Sequence, residues 1–124
     1  MMVNRARFPK RARLQKPAEF SRVFNKALRS SDQLLTVLAA LNTQGYPRLG
    51  LAISKKAAKR AVDRNRIKRI VRESFRLNQS NLPAADFIVM AKPVTKLMTH
   101  IELFRSLDNH WKRLIKLCEK SSPV

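Results

Sequence analysis

Ten of the residues from Lys55 to Arg76, KKAAKRAVDRNRIKRIVRESFR, are lysine or arginine, against two acids, Asp63 and Glu73. Projected as a helix at about 100° per residue, Ile67, Ile70, Val71 and Ser74 share one side. Asn65, Lys68, Arg69, Arg72 and Arg76 share the opposite side. Arg66 flanks that polar side, and Arg64 lies nearer the apolar edge. Cationic groups at these spacings stand about 5–6 Å apart, which suits successive phosphates, and arginine can grip a phosphate through two parallel hydrogen bonds. Asn65 adds both a donor and an acceptor. A face that served solvation alone would mix signs to gain i,i+4 pairs, yet these five positions hold no acid. The chemistry they fit is phosphate binding.

Hydrolytic chemistry has no comparable support. The eight acids, Glu19, Asp32, Asp63, Glu73, Asp86, Glu102, Asp108 and Glu119, are scattered singly. A nuclease of its own would need acids clustered around a metal or a base beside a nucleophile. His100 and His110 are ten residues apart on one predicted helix, not at the i,i+4 of a metal pair, and read as satisfied or solvent-facing histidines. Cys118 is the single cysteine. It excludes an intramolecular disulfide and a cysteine-based zinc site, and its place on an apolar helical stripe makes it a small core residue. No catalytic residue and no protein-borne metal site is expected.

The elements that position the basic stripe can be read from periodicity. Residues 1–16 form a basic arm without helical or strand period, and the doublet Arg5-Ala6-Arg7 and Arg11-Ala12-Arg13 lies in it. This arm is expected to be extended and partly mobile. Pro17 suits a first helical position, and Phe20, Val23, Phe24 and Ala27 follow at helical spacing. Residues 33–41 and 48–54 read as strands joined by a turn through Asn42, Gly45 and Pro47. On the second strand Gly50, Ala52 and Ser54 form a small face that lets a helix or a ligand approach closely. The basic helix occupies about 59–77, and 86–91 is a third strand. A last helix starts at the capping box Thr99-His100-Ile101-Glu102 and carries Phe104, Leu107, Trp111, Leu114, Ile115 and Cys118 on its apolar stripe. Interspersed strands and helices indicate α/β or α+β, a small sheet covered by helices. The domain is expected to span 17–118, with 119–124 as a C-terminal tail.

The whole chain explains the local excess. Its 124 residues carry 27 Lys and Arg against 8 Asp and Glu, a net charge of +19, with 44% hydrophobic residues. That is enough apolar content for one packed domain, and far more charge than the ~2–8 that solubility requires. A polyanionic partner is implied, nucleic acid before a membrane surface. The longest apolar run, Leu34 to Leu41, is interrupted by Thr36 and falls short of the ~20 residues that span a bilayer. The basic N-terminus is not followed by an apolar signal core, so a cytoplasmic location is expected. Only Gly45 and Gly50 are glycines, which excludes Gly-rich nucleotide loops.

The basic segment also carries a family likeness. Arg64-Asn65-Arg66-Ile67-Lys68-Arg69, with Arg72 and Phe75, resembles the signature of the bacterial ribonuclease P protein component. Arg48-Leu49-Gly50-Leu51-Ala52-Ile53-Ser54-Lys55-Lys56 is similar to the family's strand leading into that helix. Arg13-Leu14 and Phe20…Val23-Phe24 resemble its N-terminal portion, and Asp86-Phe87-Ile88-Val89 a later strand. The likeness covers roughly residues 11–115.

The resemblance implies a two-layer α/β sandwich in the order α-β-β-β-α-β-α, with a four-stranded sheet and a left-handed crossover holding the basic helix. The strand missing from the periodicity would be an edge piece near Ala27 to Ser31. It further implies the protein subunit of ribonuclease P. There the catalytic RNA holds Mg²⁺ and cuts the 5′ leader from precursor tRNA, while the protein binds both RNAs. The expected RNA-binding set is Arg64, Asn65, Arg66, Lys68, Arg69, Arg72, Arg76, Lys55, Lys56, Arg11 and Arg13. Phe20 and Phe24 are core residues by default at i,i+4, and leader-groove candidates by resemblance. No protein partner and no membrane is expected.

The chain departs from the family at Ala57-Ala58-Lys59-Arg60, where a glycine is usual, and in 33–41, which has no aromatic for base stacking. Two other readings share the basic physics: a structural RNA-binding protein of the ribosomal kind, and a DNA-binding module. Base readout in a major groove favours Asn, Gln or Ser mixed with Arg, and this nearly all-cationic stripe favours the backbone.

Overall fold

A computed structural model describes residues 10–121. Seven main elements run in the order α1 (Pro17–Lys26), β1 (Leu28–Ser31), β2 (Leu35–Leu41), β3 (Arg48–Ala52), α2 (Ala61–Asn78), β4 (Ala85–Ala91) and α3 (His100–Ser121). The sheet order is β1-β2-β4-β3. β1/β2 and β2/β4 pair antiparallel, and β3/β4 pair parallel with α2 as the connection between them. The short edge strand that only the resemblance implied is β1.

β2 and β4 are central and their residues are almost all buried, which is why they read as apolar runs rather than alternating ones. One sheet face, carrying Leu35, Val37, Ala39, Leu49, Phe87 and Val89, meets the apolar stripes of α2 and α3. Phe75, Phe87 and Trp111 pack there edge to face, with centroids 5.6–6.3 Å apart. Trp111 stays in the core, and its Nε1–H donates to Ser74 Oγ at 2.9 Å. Cys118 is buried in the same cluster, and burial pushes its thiol up.

The opposite face is only partly covered, by α1 and the end of the arm, through Leu14, Val23, Leu38, Ala40 and Ile88. The small face of β3 therefore receives a helix. A Cβ built on Gly50 would lie 2.8 Å from Phe20 Cζ.

Several boundaries differ from expectation, and β3 stops at Ala52 rather than at 54. β2 starts at Leu35 because Asp32 Oδ1 accepts the N–H groups of Leu34 and Leu35, both at 2.8 Å, and turns the chain first. The last seven residues of the arm are not free. Lys10–Ala12 form a 3₁₀ turn, Arg13 bridges to Leu49, and Leu14 is buried with its N–H on Leu49 O at 2.8 Å. At the other end α3 continues through Ser121, so the tail's first three residues are helical. The capping box at Thr99 and Glu102 forms, with N–H to side-chain distances of 2.9 and 3.1 Å.

His110 is fully buried where α3 crosses β1. Ser30 Oγ accepts from Arg113 Nη1 at 2.7 Å and lies 2.6 Å from His110 Nδ1; with the Asp32 carboxylate beside Nε2, the neutral ring accepts the serine proton at Nδ1. The imidazole proton then sits on Nε2, 3.1 Å from Asp32 Oδ2 but off the hydrogen-bonding direction. Burial holds the imidazole below its ordinary value; Arg113 and Lys92 push the same way and Asp32 pulls against them. At Asp32 burial opposes ionisation, but Ser106 and the N–H groups of Leu35 and Leu34 outweigh it and bring the carboxyl to about 2. A histidine kept neutral by the fold contributes stability above its ordinary value of about 6.5 and loses it as the pH falls toward the folded value. Asp32 contributes its stability above its ordinary 3.8 and loses it only as the pH falls from there toward about 2. The melting temperature should thus fall between pH 7 and pH 5, and His110→Gln should flatten that segment. Equal slopes in the two proteins would acquit the histidine.

Candidate nucleic-acid interface

α2 forms because Ile67, Ile70, Val71, Ser74 and Phe75 make one buried side, and Asp63 in the first turn suits the positive helix end. Its outward side presents Asn65, Arg69 and Arg72 exposed and Lys68 half-buried. Among the described residues, Lys68, Arg69 and Arg72 have no acid or carbonyl holding their charged ends. Lys68 and Arg72 meet Arg13 around a cavity of about 200 Å³, floored by Leu49 and Leu51 of β3. The docked arm and the basic helix thereby form one cationic surface.

Other residues of the expected set are placed differently. Arg64 and Arg66 turn sideways onto backbone carbonyls, Arg64 in the segment before α2 and Arg66 in the turn before α3. Arg76 is paired with Glu73, Nη2 to Oε2 at 2.6 Å, one turn back on the same helix. Lys55 and Lys56 are exposed on the turn after β3. Arg11 lies over the ring of Tyr46, 5.2 Å from its centroid, and so ties the arm to the β2–β3 loop.

α1 builds a second feature. Glu19 Oε1 accepts the N–H groups of Gln15 and Lys16 at 3.1 and 3.0 Å and so starts the helix. Val23 is fully buried on the sheet. The two phenylalanines separate: Phe20 lies on Gly50 inside the contact, and Phe24 is 49% exposed at its margin. Met90 and Ala52, on the same sheet face, are only half-buried. An aromatic ring thus edges a partly covered sheet surface.

Asp86 anchors this face. It is completely buried at the start of β4. Arg48 donates to it from Nε at 2.7 Å and from Nη2 at 2.8 Å, Asn42 Nδ2 donates at 2.8 Å, and Arg22 Nη2 closes on Oδ2. Arg48 also reaches Glu19 at 3.1 Å, and Arg22 Nη1 reaches Leu41 O at 3.2 Å. Burial opposes ionisation of Asp86, but Arg48 first, then Asn42 and Arg22, hold its carboxyl below the ordinary value. In the sequence Asp86 stands as one scattered acid. The available signal was a charge on the α1-facing side of an apolar strand, which must find a partner.

Among the described residues no three of His, Cys, Asp and Glu come together as metal ligands. Asp86 and Glu73 are taken up by arginines, and Asp32 by N–H groups and Ser106. No described helix is long and apolar enough to cross a membrane.

The family model for ribonuclease P matches residues 8–115. A ribonuclease P protein component of Methylococcus capsulatus is 51% identical over 115 residues, covering 93% of this chain and 90% of that protein. One from Photobacterium profundum is 47% identical, over 93% and 98%. Among solved structures, the Staphylococcus aureus RNase P protein aligns with a TM-score of 0.76 at 35% identity, over 83% of this chain and 94% of that one. The Thermotoga maritima protein aligns at 0.74 and 28%, over 82% and 96%.

Proposed function

This chain belongs to the ribonuclease P protein family, and from that premise we propose that it is the RNA-binding accessory subunit of the holoenzyme, with hydrolysis carried by the RNA. The observation that carries this reading is the stripe of Asn65, Lys68, Arg69 and Arg72, whose cations are held by no acid and which the arm extends through Arg13. Such a surface neutralises a phosphate backbone and releases its counterions on binding. The catalytic RNA is the partner on that side.

Precursor tRNA is the second partner, with its single-stranded 5′ leader lying against the half-covered sheet face beside α1. Phe24 is the residue there with a free ring, and base stacking on an aromatic is worth about 1–3 kcal/mol per base. Phe20, spent on Gly50, takes no base. Mg²⁺ is assigned to the RNA and the substrate; the buried Asp86 already has cationic partners and the half-buried Asp32 has N–H partners. The site of action is the cytoplasm.

Reconstitution tests this. With a bacterial ribonuclease P catalytic RNA at low Mg²⁺, the protein should restore cleavage of precursor tRNA at the leader junction. Protein and Mg²⁺ without the RNA should cut nothing. Cleavage by the protein alone, or no stimulation of the RNA at low Mg²⁺, would sink the reading. The second result would return the chain to a purely structural RNA-binding role.

A further inference from the structure

Two arginines of the basic segment stand apart from the stripe they flank. At about 100° per residue, Arg64 and Arg66 lie about 100° to either side of Asn65 around α2. Lys68, Arg69 and Arg72 all fall within about 60° of Asn65. The flanking guanidiniums reach in opposite directions. Arg64 Nη1 donates to the carbonyls of Ala58 at 3.0 Å and Lys59 at 2.8 Å, in the segment leading into the helix. Arg66 Nη2 donates to Met98 O at 2.9 Å and Lys96 O at 3.4 Å, in the turn leading into α3.

We propose that Arg64 and Arg66 are positioning residues, lateral stays that fix the roll of α2 so that Asn65, Lys68, Arg69 and Arg72 face the RNA. This rests on the RNA-binding reading of the stripe. A helix lying on a sheet through an apolar stripe is held in depth by burial, which is non-directional. Burial sets its roll only loosely at the end where the stripe begins, and Ile67 is the first fully buried residue of α2. The first turn has no side-chain cap, since Arg60 at the N-cap makes none. Arg64 supplies the missing tie to the preceding segment, and Arg66 ties the other flank to a separate part of the chain. A planar fork can serve two adjacent carbonyls from one nitrogen while staying extended; a lysine ammonium on a flexible stem holds no such fixed direction. A roll of α2 would turn Arg69 and Arg72 away from the direction in which Arg13 reinforces them.

The experiment compares Arg64→Gln, Arg64→Lys, Arg66→Gln, Arg66→Lys and Arg69→Gln in the full chain. Binding to a bacterial ribonuclease P catalytic RNA is measured across a salt series, well below each melting temperature. Amide exchange reports on 57–59 and 96–98. The Gln and Lys variants at 64 and 66 should weaken binding alike, roughly twofold to thirtyfold, the range for residues that act on a site without touching its ligand. Their slope of log K against log salt should match the parent, and exchange should rise in the segment each arginine held. Arg69→Gln should lower the slope by ~0.7–0.9.

Two results overturn the proposal alone. One is a slope that drops in the Gln variants and returns in the Lys variants, which makes the arginines direct phosphate contacts. The other is a lower melting temperature with unchanged affinity, which makes them props for stability only. An unchanged slope in Arg69→Gln overturns the RNA reading of the stripe and this inference with it.

Discussion

Asp86→Asn is expected to lower the melting temperature by roughly 10–15 °C. The carboxylate is fully buried, with Arg48 and Arg22 side chains 13% and 36% exposed against it. Replacing it with a neutral amide of the same shape leaves two guanidiniums facing a weaker acceptor. Breaking a buried pair costs about 3–5 kcal/mol. The lower end, ~3 kcal/mol, applies because Arg22 can rehydrate and Arg48 keeps Glu19. At this chain length ~1 kcal/mol shifts the midpoint by about 3–5 °C. The acid limb should change too. The folded carboxyl lies below its ordinary value of 3.8, so its contribution is present above that pH and fades as the pH falls through the folded value. Asp86→Asn should lack that part of the acid transition. Thermal melts at pH 7 and pH 3 check both statements, and a midpoint within 3 °C of the parent at pH 7 would show that the network is not holding α1.

The double variant Arg69→Ala, Arg72→Ala should bind the catalytic RNA roughly twentyfold more weakly near 0.15 M salt, with a slope of log K against log salt lower by ~1.4–1.8. Both side chains are exposed, so folding should be unaffected and the melting temperature nearly constant. Affinities of parent and variant should converge as salt rises, since the lost term is counterion release. Parallel lines across the salt series would mean that this face does not meet the RNA backbone.

Much of the architecture was readable from the chain because burial writes a period into it. The 3.6-residue stripe of Ile67, Ile70, Val71 and Ser74 marked the inner side of α2. The Thr99–Glu102 pair marked the start of α3 by a local hydrogen-bond exchange. β1 was not readable. It has four residues, LRSS, and one buried position, Ser30, so no apolar alternation announces it; its pairing is dictated by β2 from outside.

The site was legible in part for the same reason. Helical projection placed Asn65, Arg69 and Arg72 outward. It could not say which cations were already engaged, because that depends on carbonyls and carboxylates far along the chain: Met98 for Arg66, and Asp86 for Arg22 and Arg48. Arg76 was the exception, since Glu73 lies within its own helix and an i,i+3 pair can be read locally. Phe20 and Phe24 share a stripe, and only the contact with Gly50 decides which ring is spent.

The docking of the arm has a consequence for solubility. β3 is an outer strand of the sheet, and an uncovered outer strand invites another chain to pair with its backbone. Leu14 takes the Leu49 carbonyl, and Arg13, Lys68 and Arg72 crowd the flank beside it. The other outer strand, β1, is four residues long, with Arg29 and Ser31 outward. Both borders of the sheet are thus closed by means that natural β-proteins use against strand-to-strand aggregation: cover, brevity and positive charge. On the proposed RNA-binding reading, RNA on this surface would neutralise the charge part of that protection, whereas Leu14 on Leu49 is a backbone bond that no counterion cancels. The arm would then guard the sheet border in an RNA-bound state, when electrostatic repulsion between copies is weakest.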